Sequence, residues 1–207
     1  MHCVANSEIR LPRLGDATSG IVSLEQEYQI GRTWLKAFRS RIREHQDPIL
    51  KLYLEQLLNS LASHSQLNDP RLELVIINNP SINAFAVPGG IVGVHTGIFI
   101  HAKTEDELSS ILAHELAHLS QRHFARGVEA QRQTSLLSMG GLLAGLAIAA
   151  AAGADAGTAA MTVSQAAAME GSLRYSRSNE QEADRIGLQT MKAANRNPRA
   201  AAEMFET

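Results

Sequence analysis

Two histidines with a glutamate between them, His114, Glu115 and His118, lie within one apolar-patterned segment of this 207-residue chain. Apolar residues at positions 108, 111, 112, 116 and 119 recur at the three- and four-residue spacing of a helix. A helix turns by about 100° per residue, so His114 and His118 share one face. Glu115 falls at the edge of the apolar stripe, where an ionised carboxylate is unfavourable unless something compensates its charge. A metal ion held by the two histidines would do so.

The composition narrows both the class of protein and the kind of metal site. The chain is 44% hydrophobic but only 4% aromatic, which favours a mainly helical domain rich in small and aliphatic residues. Its net charge of −2 argues against nucleic acid and against an anionic membrane as the main partner. Cys3 is the single cysteine, so zinc sites built from cysteine are excluded and any metal needs His, Asp or Glu. Residues 1–16 lack the apolar stretch of a secretory signal peptide.

Capping signals mark where helices begin. Capping boxes are predicted at residues 23–26 and 104–107, and the second starts the helix with the two histidines. Another helix is predicted from Pro48, a residue favoured in the first turn, to about residue 65. Residues 1–20 contain breakers and no periodicity, so an irregular N-terminal arm is expected there.

Three short apolar segments predict strands. Residues 72–78 form a β-branched run between two prolines, and residues 83–87 and 90–94 flank a turn at Pro88-Gly89-Gly90. Together with the helices they predict an α+β domain that is mainly helical and has a small three-stranded sheet.

Residues 136–152 are 17 residues without a charge. As a helix they would span about 26 Å, against a bilayer core of about 30 Å. Their glycines, and the lack of flanking Lys or Arg, favour a buried or site-covering hairpin over a membrane span. We therefore expect residues 134–172 to form an apolar, lid-like segment, with a membrane span or a peripheral membrane contact as the alternatives.

A catalytic zinc ion uses three protein ligands and one open position, so two histidines leave the site incomplete. A helix predicted to begin at Ser178 supplies carboxylates. Glu180 and Asp184 fall on its apolar stripe and are expected to face inward. Glu180 is therefore preferred as third ligand over Glu182, which is expected on the solvent side, and over Glu170.

The ligand histidines also need partners for their second ring nitrogens. Asp184 is expected to accept the free N–H of one ligand histidine, and Asn179 could do the same for the other. His123 is interpreted as a surface residue or a local hydrogen-bonding residue.

The motifs HELAH and NEQEAD, preceded by NAFAVPGG, resemble the zinc metallopeptidase family that includes the CAAX prenyl proteases. Within that family, residues 21–205 are most similar to the catalytic domain of a periplasmic branch in Gram-negative bacteria. Members of this branch support the assembly of outer-membrane β-barrel proteins, and they continue into tetratricopeptide repeats. The resemblance implies a gluzincin-like zincin domain at 21–207 that binds one zinc ion per chain. It implies that the zinc ligands are His114, His118 and Glu180, that Glu115 is the general base, and that Asp184 orients a ligand histidine.

The resemblance also implies the function. We expect a periplasmic zinc endopeptidase that hydrolyses unfolded or misassembled proteins, with outer-membrane barrel proteins and their assembly machinery as partners. The substrate is expected to pair in extended form with the strand at 83–87, against the backbone of Asn83, Ala84, Phe85 and Ala86. The alternatives are a non-catalytic, chaperone-like binder of unfolded barrel proteins and a membrane-anchored quality-control protease.

Overall fold

The computed structural model describes residues 22–132, residue 135 and residues 154–205. The predicted arm at 1–20 and the uncharged segment at 136–152 lie outside the described residues. In the described part the chain is mainly helical, with one three-stranded sheet, as the sequence predicts for an α+β domain.

The described part of the chain contains seven helices and three strands. The helices are α1 (Leu24–Arg39), α2 (Pro48–Ala62), α3 (Ile98–His101), α4 (Glu105–Ser120), α5 (from residue 123, described to residue 132), α6 (Ala154–Ala193) and α7 (Ala200–Phe205). The strands are β1 (Glu73–Ile77), β2 (Ala84–Val87) and β3 (Ile91–His95).

The predicted helix starts are confirmed at α1, α2 and α4. Ser23 and Thr104 each accept a hydrogen bond from the backbone N–H three residues on, and the side chain at that third position bonds back to the cap, which completes both capping boxes. Asp47 caps α2 by accepting from the first free N–H groups, with Pro48 next in the chain. The capping bonds of Thr104 fix where α4 begins, and therefore where His114 and His118 lie along it.

The sheet has the order β1-β3-β2, with β1 parallel and β2 antiparallel to β3. The predicted turn between β2 and β3 is confirmed, and Gly89 and Gly90 have φ of 79° and 81° there, a region that favours glycine. Within the described residues β2 is an edge strand, so one row of its backbone groups faces away from β3.

Both faces of the sheet are covered. Alternate residues of β1 point to opposite faces, as in any strand. One face packs on α2 and α4 through Leu54, Leu58, Leu61, Leu74, Ile76, Val92, Val94, Leu112 and Leu116. The other face packs on α1 through Leu35, Val75, Ile77 and Ile91, with Trp34, Phe38 and Phe85 against them. The apolar stripe of α4 therefore lies in the core, and its histidines lie on the opposite side.

The predicted helix start at Ser178 is wrong, because α6 begins at Ala154 and continues without a break to Ala193. This range contains no proline, and its alanine-rich first half favours a helix as strongly as the second half does. A serine three residues before a glutamine starts a helix only where the preceding chain leaves the helical conformation. Among the described residues, none of the helices has the length and apolar character that crossing a bilayer requires.

Candidate metal centre

Helices α4 and α6 bring three metal-binding side chains together. One ligand atom each from His114, His118 and Glu180 lie within 4.8 Å of one another. The Nε2 atoms of the two histidines are 3.0 Å apart, and the Glu180 carboxylate oxygens are 3.5 Å and 3.7 Å from them. Two imidazole nitrogens and one carboxylate oxygen form a donor set typical of catalytic zinc, so these residues fit a metal ion.

Small residues allow α6 to approach α4 this closely. Ala183 is fully buried against Ala117. Gly187 lies directly over the backbone of His114, where a Cβ atom would be 3.1 Å from the His114 nitrogen. The ligand pattern can be read from the sequence, whereas the contact role of Ala183 and Gly187 depends on the packing of the two helices.

Asp184 lies at the outer nitrogen of the first ligand histidine. Its Oδ1 is 3.0 Å from Nδ1 of His114. An Nδ1–H bond to this carboxylate leaves the Nε2 lone pair of His114 directed at the other two ligand atoms. The structure thus brings together the pair that the sequence analysis expected.

His123, and not Asn179, lies at the outer nitrogen of the second ligand histidine. The Nδ1 atoms of His118 and His123 are 2.9 Å apart. Asn179 is buried, but its Oδ1 has no hydrogen-bond partner among the residues that the structure describes. His123 is only 7% exposed, so the surface alternative for this residue is wrong and the local hydrogen-bonding alternative holds.

The expected position of Glu182 on the solvent side is wrong. Its side chain is 24% exposed, and its Oε2 is 3.2 Å from Nε2 of His123 and 2.7 Å from Nη1 of Arg126. Burial alone raises the pKa of Glu182, but the hydrogen bonds from Arg126 and His123 outweigh burial and leave this pKa below its usual value. Helix α5 thus covers a side of α6 that sequence periodicity could only assign to solvent.

The carboxylates expected to face inward are in fact accessible. Glu180 and Asp184 side chains are 56% and 66% exposed, because they line an open cleft instead of a packed core. The buried side of α6 is offset from theirs and consists of Asn179, Ala183, Ile186, Thr190 and Met191. A helix stripe that points to a cleft and one that points to a core have the same spacing, so the sequence could not separate them.

His118 is neutral at physiological pH. Burial, and then electrostatic repulsion between the two imidazoles His114 and His118, lower the pKa of His118 to about 4. A neutral imidazole has the free lone pair that coordination of a metal requires.

Glu115 is the buried carboxylate of the site. It is 8% exposed, and burial raises its pKa to about 7. The attraction of His114 and a hydrogen bond from the backbone of Ala86 oppose this rise, whereas the charge of Glu180 adds to it. The Glu115 carboxyl group therefore lies between the metal-binding helix and the edge strand.

A cleft of about 880 Å³ opens beside these groups. Asn83 and Ala84 of the edge-strand region line it, opposite His114 and Glu180. The carbonyl of Asn83 accepts from the N–H of His95, so its bond is directed to β3. Because these directions alternate along a strand, the backbone groups of Ala84 and Ala86 point to the free edge.

The predicted substrate-binding stretch thus divides into two pairs. Ala84 and Ala86 have backbone groups on the free edge, whereas those of Asn83 and Phe85 point into the sheet. The Phe85 ring packs edge-on against Trp34 and Phe38, with centroid distances of 5.9 Å to each. Phe85 is therefore a core residue by its side chain.

A left-handed residue places His123 beside His118. Arg122 follows α4 with φ of 53° and turns the chain into α5. Its Nε lies 3.0 Å from Oε2 of the buried Glu27 on α1, which anchors the turn. This pair could not be predicted from the sequence, because an arginine is an unusual residue for a left-handed helix end and Glu27 lies far away in sequence.

Comparisons with known proteins agree with this geometry. The sequence profile of Peptidase family M48 matches residues 48–206. A relative from Vibrio cholerae is 37% identical over 97% of this chain and 41% of its own length. The "Beta-barrel assembly-enhancing protease" of Escherichia coli (strain K12) is 35% identical over 98% of this chain and 41% of its own length. The "Mitochondrial metalloendopeptidase OMA1" of Schizosaccharomyces pombe is 32% identical over 89% of this chain and 52% of its own length. The chain thus spans about two fifths of the length of the two bacterial relatives.

Proposed function

Because this chain belongs to Peptidase family M48, a family of metalloproteases, we propose that it is the catalytic domain of a zinc-dependent endopeptidase. The observation that supports this most directly is the buried Glu115 beside the converging ligand atoms of His114, His118 and Glu180. A cluster of metal-binding side chains alone could form a structural metal site with no catalytic role. A buried carboxylate one residue from a ligand, opening on a peptide-sized cleft, is what hydrolysis needs.

In this proposal Nε2 of His114, Nε2 of His118 and a Glu180 carboxylate oxygen hold one zinc ion per chain. When bound, zinc supplies Lewis-acid polarisation of a peptide carbonyl and of water. Asp184 fixes the His114 ring through Nδ1. A closed structural zinc site would use four protein ligands, whereas three are brought together among the described residues.

Glu115 is proposed as the general base. Its carboxylate oxygens take a proton from the attacking water and deliver it to the nitrogen of the leaving amine. The hydrogen bond from the Ala86 backbone holds this carboxylate against β2. The general base and the bound peptide would therefore both be positioned by the same strand. This arrangement keeps the proton-transfer distance independent of the substrate's side chains.

The substrate is proposed to bind in extended form along the free edge of β2, through the backbone N–H and carbonyl of Ala84 and the carbonyl of Ala86. The N–H of Ala86 is already bonded to Glu115. Backbone pairing tolerates many sequences, which suits unfolded chains. The accessible apolar side chains of the cleft wall beyond the site include those of Ile111 and Leu188. An apolar substrate residue next to the cleaved bond is therefore preferred over a charged one.

We further propose that residues 21–207 form a gluzincin-like domain. Of the lid-like segment expected at 134–172, residues 154–172 belong to α6 instead, and residues 134 and 136–153 lie outside the described residues. The name "Beta-barrel assembly-enhancing protease" of two bacterial relatives supports a role in the assembly of β-barrel proteins. We propose that these are outer-membrane proteins and that the chain acts in the periplasm, as the motif resemblance implies. Unfolded or misassembled barrel proteins and their assembly machinery are the proposed substrates and partners.

The test is a zinc assay run with a digest. Elemental analysis of the purified chain should find one zinc ion, and unfolded casein should be cleaved. A chelator should abolish cleavage and added zinc should restore it. A chain that binds no zinc, or cleaves equally after chelation, would contradict the proposal. Paired peptides with leucine or aspartate after the cleavage point test the apolar wall, and equal rates would exclude its role.

A further inference from the structure

The two histidines that face the metal site differ in what holds their outer nitrogens. Nδ1 of His114 meets a carboxylate, Asp184, at 3.0 Å. Nδ1 of His118 meets another imidazole nitrogen, that of His123, at 2.9 Å. Nδ1 of a neutral imidazole accepts a hydrogen bond only when the proton is on Nε2. His123 can therefore accept from His118 only if its own tautomer is fixed.

The contacts on the far side of His123 determine that form. Its Nε2 lies 3.2 Å from Oε2 of Glu182, and the same oxygen accepts from Nη1 of Arg126 at 2.7 Å. A carboxylate only accepts, so the proton of His123 is on Nε2 and its Nδ1 has a free lone pair. That lone pair can accept the Nδ1–H of His118, which leaves Nε2 of His118 unprotonated toward Glu180.

The opposite arrangement is incompatible with metal binding. If His123 carried its proton on Nδ1, it would donate to Nδ1 of His118. The proton of neutral His118 would then be on Nε2, the atom 3.0 Å from Nε2 of His114. Such a histidine has no lone pair directed at the site.

We propose that His123 is a positioning residue that fixes the metal-binding tautomer of His118, and that Glu182 and Arg126 in turn fix His123. The inference rests on the ligand set proposed above. It assigns a role to three residues outside the HELAH and NEQEAD ligand positions, on two helices. The contacts form a chain of hydrogen bonds: Arg126 holds the Glu182 carboxylate, which accepts from His123. His123 in turn accepts from the ligand His118.

The geometry of His123 allows a test with near-isosteric side chains. Oδ1 of asparagine is attached to Cγ, as Nδ1 of histidine is, so His123→Asn can place an acceptor at His118. Oε1 of glutamine is one bond further out, in the place of Nε2, so His123→Gln reaches toward Glu182 instead. His123→Leu has the size of asparagine and no acceptor. Ser120→Ala is the control, a buried polar residue at the end of α4 whose hydroxyl, among the described residues, donates to the Ala117 carbonyl and accepts from the Gln121 side chain.

The zinc dissociation constant of each variant of the 207-residue chain is measured by competition with a chelating dye. His123→Asn should bind zinc within about threefold of the wild type, whereas His123→Gln and His123→Leu should lose about 10- to 100-fold, the range of outer partners of metal ligands. Ser120→Ala should bind as the wild type does. The absorption spectrum of the cobalt-loaded protein should follow the same order, since it reports ligand geometry. The melting temperatures of the zinc-free variants show whether a loss of zinc affinity is due to a destabilised fold.

Equal zinc affinity for the asparagine and glutamine variants would overturn the inference, as would losses that follow the zinc-free melting temperatures. A long-range ¹H–¹⁵N spectrum of the zinc-loaded wild type decides independently of any variant. The inference requires a proton on Nδ1 of His118 and on Nε2 of His123, and a proton on Nδ1 of His123 contradicts it. A wild type that binds no zinc would instead refute the proposed ligand set.

Discussion

The two helices of the metal centre are held in opposite ways. Helix α4 is buried along most of its length, and Glu115 within it is 8% exposed. On α6 the side chains of Glu180 and Asp184 are 56% and 66% exposed. The core thus fixes the histidines and the base, whereas the third ligand depends on how closely α6 packs on α4. A change at Glu115 should therefore affect the chemistry without loss of metal, whereas a change on α6 should affect metal retention.

The largest effect is expected for Glu115→Gln. The amide keeps the shape of the side chain but cannot accept a proton, so kcat/KM for an unfolded substrate should fall by about 10²- to 10⁴-fold. Zinc content should stay at the wild-type level, because Glu115 is not among the converging ligand atoms. The measurement is a digest combined with elemental analysis. Loss of zinc in this variant, or near-normal turnover, would contradict the assignment of the chemistry to Glu115 and of metal retention to α6.

The next effect is loss of metal from α6. Glu180→Ala removes a ligand, so zinc affinity should fall more than the 10- to 100-fold typical of outer partners. Glu182→Ala should have a smaller effect that acts through His123. Glu55→Ala on the exposed side of α2 is the control, because its carboxylate pairs only with Lys51 among the described residues. Dye competition gives the three constants, and equal constants for Glu180→Ala and Glu55→Ala would refute the ligand assignment.

A methyl group between the helices should have a moderate effect. At Gly187 the new Cβ would lie 3.1 Å from the backbone nitrogen of His114, so α6 must shift outward by a few tenths of an ångström. We expect zinc affinity to weaken several-fold in Gly187→Ala. Gly171→Ala, on the same helix and with no described atom within 4 Å of the new Cβ, is the matched control. It should stabilise the protein by up to about 1 kcal/mol and leave zinc affinity unchanged. Identical behaviour of the two variants would show that the close approach does not position Glu180.

The smallest effect is expected away from both helices, at Glu73. Burial raises its pKa, but ion pairs with Arg39 at 2.7 Å and Arg32 at 3.3 Å outweigh burial and leave the pKa lowered. A lowered carboxyl pKa stabilises the fold above the unfolded-state pKa, and this stability is lost as the pH falls through the folded-state pKa. Glu73→Gln should therefore lower the unfolding free energy at pH 7 by at most about 1 kcal/mol and have less effect near pH 3. Denaturant titrations at both pH values test this, and a loss that is larger at low pH would contradict it.

Most of α4 could be predicted from the sequence because its signals are local. The capping box at Thr104 and the apolar stripe fix its start and its buried side. The relation of His114 to His118 follows from the helical repeat alone. No distant residue is needed for any of these features.

The surroundings of α6 could not be predicted because they depend on tertiary contacts. Periodicity identified the face of Glu180 and Asp184 but could not show that it meets a cleft. The burial of Glu182 depends on α5, and α5 reaches it only because Arg122 takes a left-handed conformation. That conformation is stabilised by Glu27, 95 residues earlier in the chain. A local pattern gives no indication of such a contact.

The length of α6 has a mechanical consequence. The helix is 40 residues long, and Gly187, its close contact with α4, is seven residues (187 − 180) from Glu180 and 33 (187 − 154) from Ala154. At a rise of about 1.5 Å per residue these arms are about 10 Å and about 50 Å long. A tilt of about 5° about the contact moves the far end by about 4 Å and Glu180 by about 1 Å. Metal–ligand distances tolerate changes of only about 0.2 Å. A movement of the far end of α6 by a few ångströms would therefore be enough to decide whether the Glu180 carboxylate coordinates the metal.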